Sequence, residues 1–281
     1  MDRARRRARR LRTGRRGLVT GDLHVSVEGT GPRVLLLHCD AATARSGWRR
    51  QRELAERWTL VAPDRPGYGA SPATRVDFDT EPAAHRPLLE DGAHLVGHSY
   101  GGVVALLLAT AAPQLIRSLT VVEPPAFGLS DAPEVAATRA ELQELWDEGL
   151  DDPFVFYDRF SRSIGERPWP RPPLPASLER GVRALMGEHV PWEARPDLEA
   201  LAAAPFPVLV VSGGHKAAFE TVCDTIARRA EAERAVVPGQ RHMVPQVGAP
   251  FNELVEAFWR RAEDRSGQTG RAAEWARESS R

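Results

Sequence analysis

His94-Leu95-Val96-Gly97-His98-Ser99-Tyr100-Gly101-Gly102 is the stretch that decides how this chain folds. Leu95-Val96 reads as the end of a buried strand, and Val103 to Thr110 runs apolar, as a helix packed on a sheet does. Between them Gly97-His98-Ser99-Tyr100-Gly101 fits G-x-S-x-G, a strand-to-helix turn so tight that its central residue is strained. Glycines two before and two after leave room for that turn. The strain lifts the Ser99 hydroxyl clear of the sheet, at a helix start whose free amides can face an anion.

Outward from this turn, the chain alternates strands and helices. Leu23 to Glu28 alternates as a half-exposed strand, and Val34 to His38 is a continuous apolar run covered on both faces. Trp48 to Trp58 has helical spacing, and Thr59 to Pro63 is the next buried strand. Asp64-Arg65-Pro66-Gly67-Tyr68-Gly69-Ala70-Ser71 then leaves the sheet as a strained loop. A short helix over 82–91, the strand His94–Gly97, a helix over 100–112 and the strand Ile116–Val122 follow, ending at Glu123-Pro124-Pro125.

From 126 to 200 the alternation stops. Helical spacing over 132–149, an aromatic-rich segment with Phe154, Phe156, Tyr157 and Phe160, a proline-dense run and a helix over 178–186 read as an insertion. Its aromatics pack on the main body or line a pocket between the two. Strand Pro207–Ser212, helix Ala218–Ala230, a short strand Ala235–Gly239 and helix Pro250–Arg261 resume the pattern. Thus 17–125 and 201–262 form one α/β body and 126–200 the insertion. Residues 263–281 lack an apolar period and read as a disordered polar tail.

Formal net charge is zero over 281 residues, but nine arginines crowd the first sixteen. Residues 1–16 read as a disordered basic tail, with a nucleic-acid arm as the rival reading. No apolar segment follows, so an export signal is not indicated. Two cysteines, Cys39 and Cys223, make no disulfide framework, and no run approaches the roughly 18–20 apolar residues of a membrane span. A cytoplasmic setting, no membrane and no nucleic-acid partner are the expectations.

A serine hydroxyl needs a base in reach, and the base needs an acid to hold its tautomer. With this turn the order along the chain is serine, acid, histidine. His242 lies in the loop after the last strand and is the candidate base. The loop Ser212 to Ala217 offers no carboxylate, only His215 and Lys216. Glu123, at the end of the strand beside the nucleophile strand, is the candidate acid, with Asp224 as alternative. Oxyanion donors would be the backbone N–H of Tyr100 and that of Cys39 or Asp40. The Asp40 side chain should turn away from a developing anion, and Cys39 reads as packing.

The nucleophile turn, the Asp64-x-x-Gly67-x-Gly69-x-Ser71 loop and the late His242 together resemble the α/β-hydrolase fold superfamily, in its branch of small serine hydrolases with a helical cap. The resemblance runs from about 20 to 262. It implies a mostly parallel eight-stranded sheet, a cap inserted after the sixth strand, and no metal or organic cofactor. Two departures stand out: His38-Cys39 where the family has His-Gly, and no aspartate after the seventh strand. Some relatives take a glutamate after the sixth strand instead, where Glu123 sits. Relatives that cleave halides or epoxides carry an aspartate nucleophile, which Ser99 argues against. The expected activity is hydrolysis of a small ester, thioester or lactone through an acyl-enzyme on Ser99. Carbon–carbon bond hydrolysis with the same triad, and non-catalytic ligand binding, are the alternatives.

Overall fold

The structure is a computed structural model that describes residues 16–20 and 23–278. Eight strands form one sheet: β1 (Arg16–Thr20), β2 (Leu23–Glu28), β3 (Arg33–Leu37), β4 (Thr59–Pro63), β5 (Ala93–His98), β6 (Ile116–Val122), β7 (Val208–Ser212) and β8 (Glu233–Val236). Their order is β1-β2-β4-β3-β5-β6-β7-β8. Only the two pairings made by β2 are antiparallel, and β4 through β8 pair parallel. This is the expected mostly parallel, eight-stranded α/β class.

Parallel strands buried on both faces need apolar side chains at every position. Leu35, Leu37, Leu95, Leu119, Val121 and Val210 point to one layer, and Val34, Leu36, Val96, Val122, Leu209 and Val211 to the other. The first layer is covered by α2 (Glu81–His85), α3 (Tyr100–Ala111), α7 (Leu198–Ala202) and α8 (Ala217–Arg229). The second is covered by α1 (Ala44–Gly47) and α9 (Ala249–Glu278). Phe251, Val255, Phe258 and Trp259 of α9 are each about 1% exposed, and such side chains contribute about 1.5–3 kcal/mol apiece.

Between β6 and β7 the chain makes α4 (Pro133–Asp147), α5 (Pro153–Ser163) and α6 (Ala176–Met186) before α7, and no strand among the described residues. Leu145, Phe156, Leu174, Val182 and Leu185 form a small core of their own there.

Four details differ from the sequence reading. Trp48 to Trp58 is not a helix: α1 ends at Gly47 and a 3-10 turn spans Arg52–Glu56. Trp48, Leu54 and Trp58 are buried all the same, so their helical spacing served packing without a regular helix. The last strand lies earlier than Ala235–Gly239, at Glu233–Val236. The segment from 263 to 278, read as a disordered polar tail, continues α9 in the structure. Arg16 opens β1 and is not tail; the rest of the basic segment, 1–15, and residues 279–281 lie outside the described residues. Among the described residues no helix is long and apolar enough to cross a membrane.

Candidate active site

Ser99 sits between β5 and α3 with φ 55° and ψ −125°, a left-handed conformation that a serine adopts only under constraint. Its N–H donates to the Val122 carbonyl at 2.8 Å. The flanking glycines are needed for space. A Cβ on Gly97 would lie 2.2 Å from the Gly101 carbonyl oxygen, and one on Gly101 2.4 Å from that of Leu37. The turn thus presses α3 against the ends of β5 and β3, and the hydroxyl points out of the sheet's carboxyl edge.

Three distant segments converge there. His242 Nε2 lies 2.9 Å from Ser99 Oγ, and His242 Nδ1 lies 2.7 Å from Glu123 Oε2. All three are buried, Glu123 completely. The carboxylate accepts the Nδ1 proton, which leaves the Nε2 lone pair facing the serine hydroxyl. Glu123 follows β6 at φ 43°, and its N–H donates to the Val211 carbonyl at 3.0 Å. Its other oxygen, Oε1, accepts the Gly213 N–H at 2.6 Å. Asp224 is elsewhere: it is exposed on α8 and pairs with Arg234 at 2.8 Å.

The loop after β7, which lacks a carboxylate, contributes a histidine instead. His215 Nδ1 lies 3.2 Å from Glu123 Oε1, and its Nε2 lies 3.0 Å from the Ile164 carbonyl. Sequence reasoning looked in this loop for an acid and so passed over a ring that holds the acid from its far side. Burial alone would push the Glu123 carboxyl up, but the His215 and His242 rings against it outweigh burial and hold it at about 2. Burial opposes a charge on His215, yet the bond and charge of Glu123 prevail and raise it above the ordinary histidine range.

Further histidines orient the loops. His98 donates Nε2–H to the His242 carbonyl at 2.8 Å and is held neutral, at about 3, by burial and by His242. The Arg65 N–H donates to His38 Nε2 at 2.9 Å, so Nδ1 carries the proton and donates to the Cys39 carbonyl at 2.7 Å. This fixes the turn that bears Cys39 and Asp40 at the end of β3. Asp64 braces the same region: its carboxylate accepts the Ala44 and Ala70 N–H groups at 2.8 and 3.0 Å. Gly69, at φ 55°, leaves no room for a Cβ, which would meet Asp64 Cγ at 2.3 Å.

Tyr100 opens α3, so its N–H belongs to the orphan amides of a helix start. Burial, then Asp40, push the Cys39 thiol up to about 12, which makes it packing and not a nucleophile. Asp40 Oδ1 accepts from Arg65 Nη1 at 3.0 Å and from the Tyr68 hydroxyl at 3.1 Å. Its side chain is drawn toward those donors, but it does not leave the site as expected: it borders the same pocket as Ser99 and His242.

That pocket has room for about one water molecule. A roomier cavity of about 340 Å³ lies by β2 and α1, but its His24 and Asp64 are committed to each other at 3.0 Å. The hydrogen-bonded chain, not the volume, marks the chemistry. Glu123, His215 and His242 also cluster closely enough to ligate an ion, and each is already engaged in the contacts above.

A model described as alpha/beta hydrolase family matches residues 34–257. The chain is 36% identical over 182 residues to Lipase LipV of Mycobacterium tuberculosis, covering 61% of this chain and 66% of that protein. It is 35% identical over 138 residues to the pimeloyl-[acyl-carrier protein] methyl ester esterase of Chromobacterium violaceum, covering 47% and 53%. It therefore spans less than two thirds of the length of these curated relatives. Among solved structures, an alpha/beta hydrolase from Sphaerobacter thermophilus shares the fold at TM-score 0.61 and 24% identity, over 83% of this chain and 96% of that one.

Proposed function

The chain belongs to the alpha/beta hydrolase family, and on that premise we propose that it is a serine hydrolase cleaving a small ester, thioester or lactone through an acyl-enzyme on Ser99. The observation that carries this reading is the buried chain of contacts from Ser99 Oγ to His242 to Glu123, at 2.9 and 2.7 Å. Ser99 Oγ attacks the carbonyl carbon while His242 Nε2 takes its proton, and Glu123 stabilises the imidazolium that results. The carbonyl oxygen becomes an oxyanion held by the backbone N–H of Tyr100 and one from Cys39 or Asp40, a donor pair whose loss costs about 10²–10³ per member. The intermediate collapses, the leaving group receives the proton from His242, and the acyl group stays on Ser99. Water then attacks the acyl carbon, giving its proton to His242, and the acid departs as Ser99 regains a proton. The helices between β6 and β7 act as a cap over this pocket. Relatives named lipase and methyl ester esterase support an ester as the bond cleaved.

A fluorophosphonate probe tests the reading. It should label the protein stoichiometrically, and Ser99→Ala should abolish both labelling and turnover, by about 10⁴ or more. Ser99→Ala with activity within a few-fold of wild type overturns it.

A further inference from the structure

The pocket beside Ser99 has an unusual lining. Trp146, Phe160, Trp192 and Phe219 wall it, two carboxyl groups, Asp40 and Glu188, border it, and among the described residues no lysine or arginine does. The nearby guanidinium is spoken for. Glu81 takes Arg65 in a two-point pair, 2.9 Å at each contact, which cancels its charge. Asp40 receives one further Arg65 N–H and the Tyr68 hydroxyl, and Glu188 receives neither.

Glu188 is only 5% exposed, and its Oε2 has no hydrogen-bond donor. It borders the same small pocket as the Asp40 carboxyl. Two carboxyls that share one pocket shielded from water disfavour each other's ionisation, so the second negative charge is costly there. Burial and then Asp40 push the Glu188 carboxyl well above the usual range. Arg65 is one cation facing both Glu81 and Asp40, so the buried cluster keeps an excess of negative charge that a cationic ligand would complete. Aromatic rings around it add attraction for a cation and none for an anion. The free space, about that of one water, suits a primary ammonium headgroup.

We propose that the Asp40–Glu188 carboxyl pair and the rings of Trp146, Phe160, Trp192 and Phe219 form a subsite for a primary ammonium group on the substrate. The proposal rests on Ser99 being the nucleophile and names the substrate class of that same site: an acyl compound bearing an alkylammonium. A substrate carrying a carboxylate is refused, because it would add a negative charge to an anionic pocket.

Binding is read apart from turnover, in the Ser99→Ala protein, by calorimetry at pH 7.5 with n-butylammonium, n-butanol and butyrate. Charge-assisted hydrogen bonds should make butylammonium bind about tenfold or more tighter than butanol, with butyrate weakest. Adding Asp40→Asn together with Glu188→Gln, which removes the charge from both carboxyls, should bring butylammonium and butanol within about threefold of each other. With wild-type protein, methyl 6-aminohexanoate should be hydrolysed in preference to methyl heptanoate. Equal binding of butanol and butylammonium overturns the proposal, as does a preference that survives the Asp40→Asn, Glu188→Gln double change. If that variant does not fold, the ligand comparison on the Ser99→Ala protein decides alone. Fluorophosphonate labelling reports on Ser99 separately: labelled protein without ammonium preference sinks the subsite and leaves the hydrolase. Ammonium binding without labelling sinks the hydrolase and leaves the subsite.

Discussion

His215 stands between two acceptors, the Glu123 carboxylate at 3.2 Å and the Ile164 carbonyl at 3.0 Å. Nε2 donates to the Ile164 carbonyl, and the Glu123 carboxylate beside Nδ1 favours the protonated ring and supplies its countercharge. The consequence for stability has a definite sign. The folded-state value of His215 is raised above the ordinary 6.5, so its contribution is complete below about pH 6.5 and is lost as pH rises through the raised value. Glu123, held down at about 2 against an ordinary 4.5, contributes at all pH above that ordinary value and loses its share only as pH falls toward 2. Thermal unfolding of His215→Gln beside wild type checks the first. The melting gap should be widest near pH 6 and close on the alkaline side, by a few degrees in all, since about 1 kcal/mol moves a chain of this size by about 2–4 °C. A gap that is constant or that widens toward alkaline pH would show the ring to be neutral. Nothing local in Gly213-Gly214-His215-Lys216 encodes this contact. It exists because β6 and β7 are neighbours and Glu123 is long enough to reach across, which only the assembled sheet decides. Ser99 and His242 were legible for the opposite reason. The strain of a strand-to-helix turn is written in its two glycines, and a histidine after the last strand has few other duties.

Elements enter the site through one short segment. At the end of α5 the Ile164 carbonyl accepts from His215, the Gly165 carbonyl accepts from Arg241 Nη1 at 2.9 Å, and Glu166 Oε1 accepts the N–H groups of His242 and Met243 at 2.7 and 3.3 Å. Residues 164–166 therefore grip both the loop behind Glu123 and the loop that carries the base. Glu166 acts on the reaction only through the placement of His242, where an error near 1 Å can cost about 10²-fold. Glu166→Ala should lower kcat by roughly tenfold to a hundredfold with a small change in KM. Glu166→Gln keeps an acceptor oxygen and should recover most of that loss. If Gln is as poor as Ala, or if KM moves and kcat does not, the segment is only structural. The elements themselves were read well where burial on both faces demands an apolar run: β4 and β6 begin and end where that run does. They were misread where packing and propensity part company. Trp48, Leu54 and Trp58 bury with only a short 3-10 turn among them, while α9 runs to Glu278 with no apolar period to announce it.

At the scale of the molecule, the body and the inserted helices have separate cores, and α4 contributes buried side chains to both. Val135 and Leu142 of α4 pack with the main core, whereas Leu145, one turn further on, packs with Phe156, Val182 and Leu185 of α5 and α6. α4 is thus fastened to the body, whereas the fully buried apolar side chains of α5 and α6, Phe156, Val182 and Leu185, lie in the smaller core and only the partly buried Phe160 and Ala184 reach the main one. A pocket with room for about one water cannot admit an acyl chain unless something moves. The unit with the least apolar burial against the sheet is the one that moves at least cost, so α5 and α6 should swing about α4. Each opening would release the grip of residues 164–166 on His215 and His242, so a substrate could enter only while the base is loosely held. Closure would then complete the constellation. Native-state hydrogen exchange under increasing denaturant measures this directly. Amides between 153 and 186 should exchange through an opening of lower free energy than those of α4 and of β3 to β7, and a covalent adduct on Ser99 that fills the pocket should change their exchange first. Exchange of all these segments at one common free energy would mean that the helices open only when the whole sheet does, and substrate entry would then need a path that leaves α5 and α6 in place.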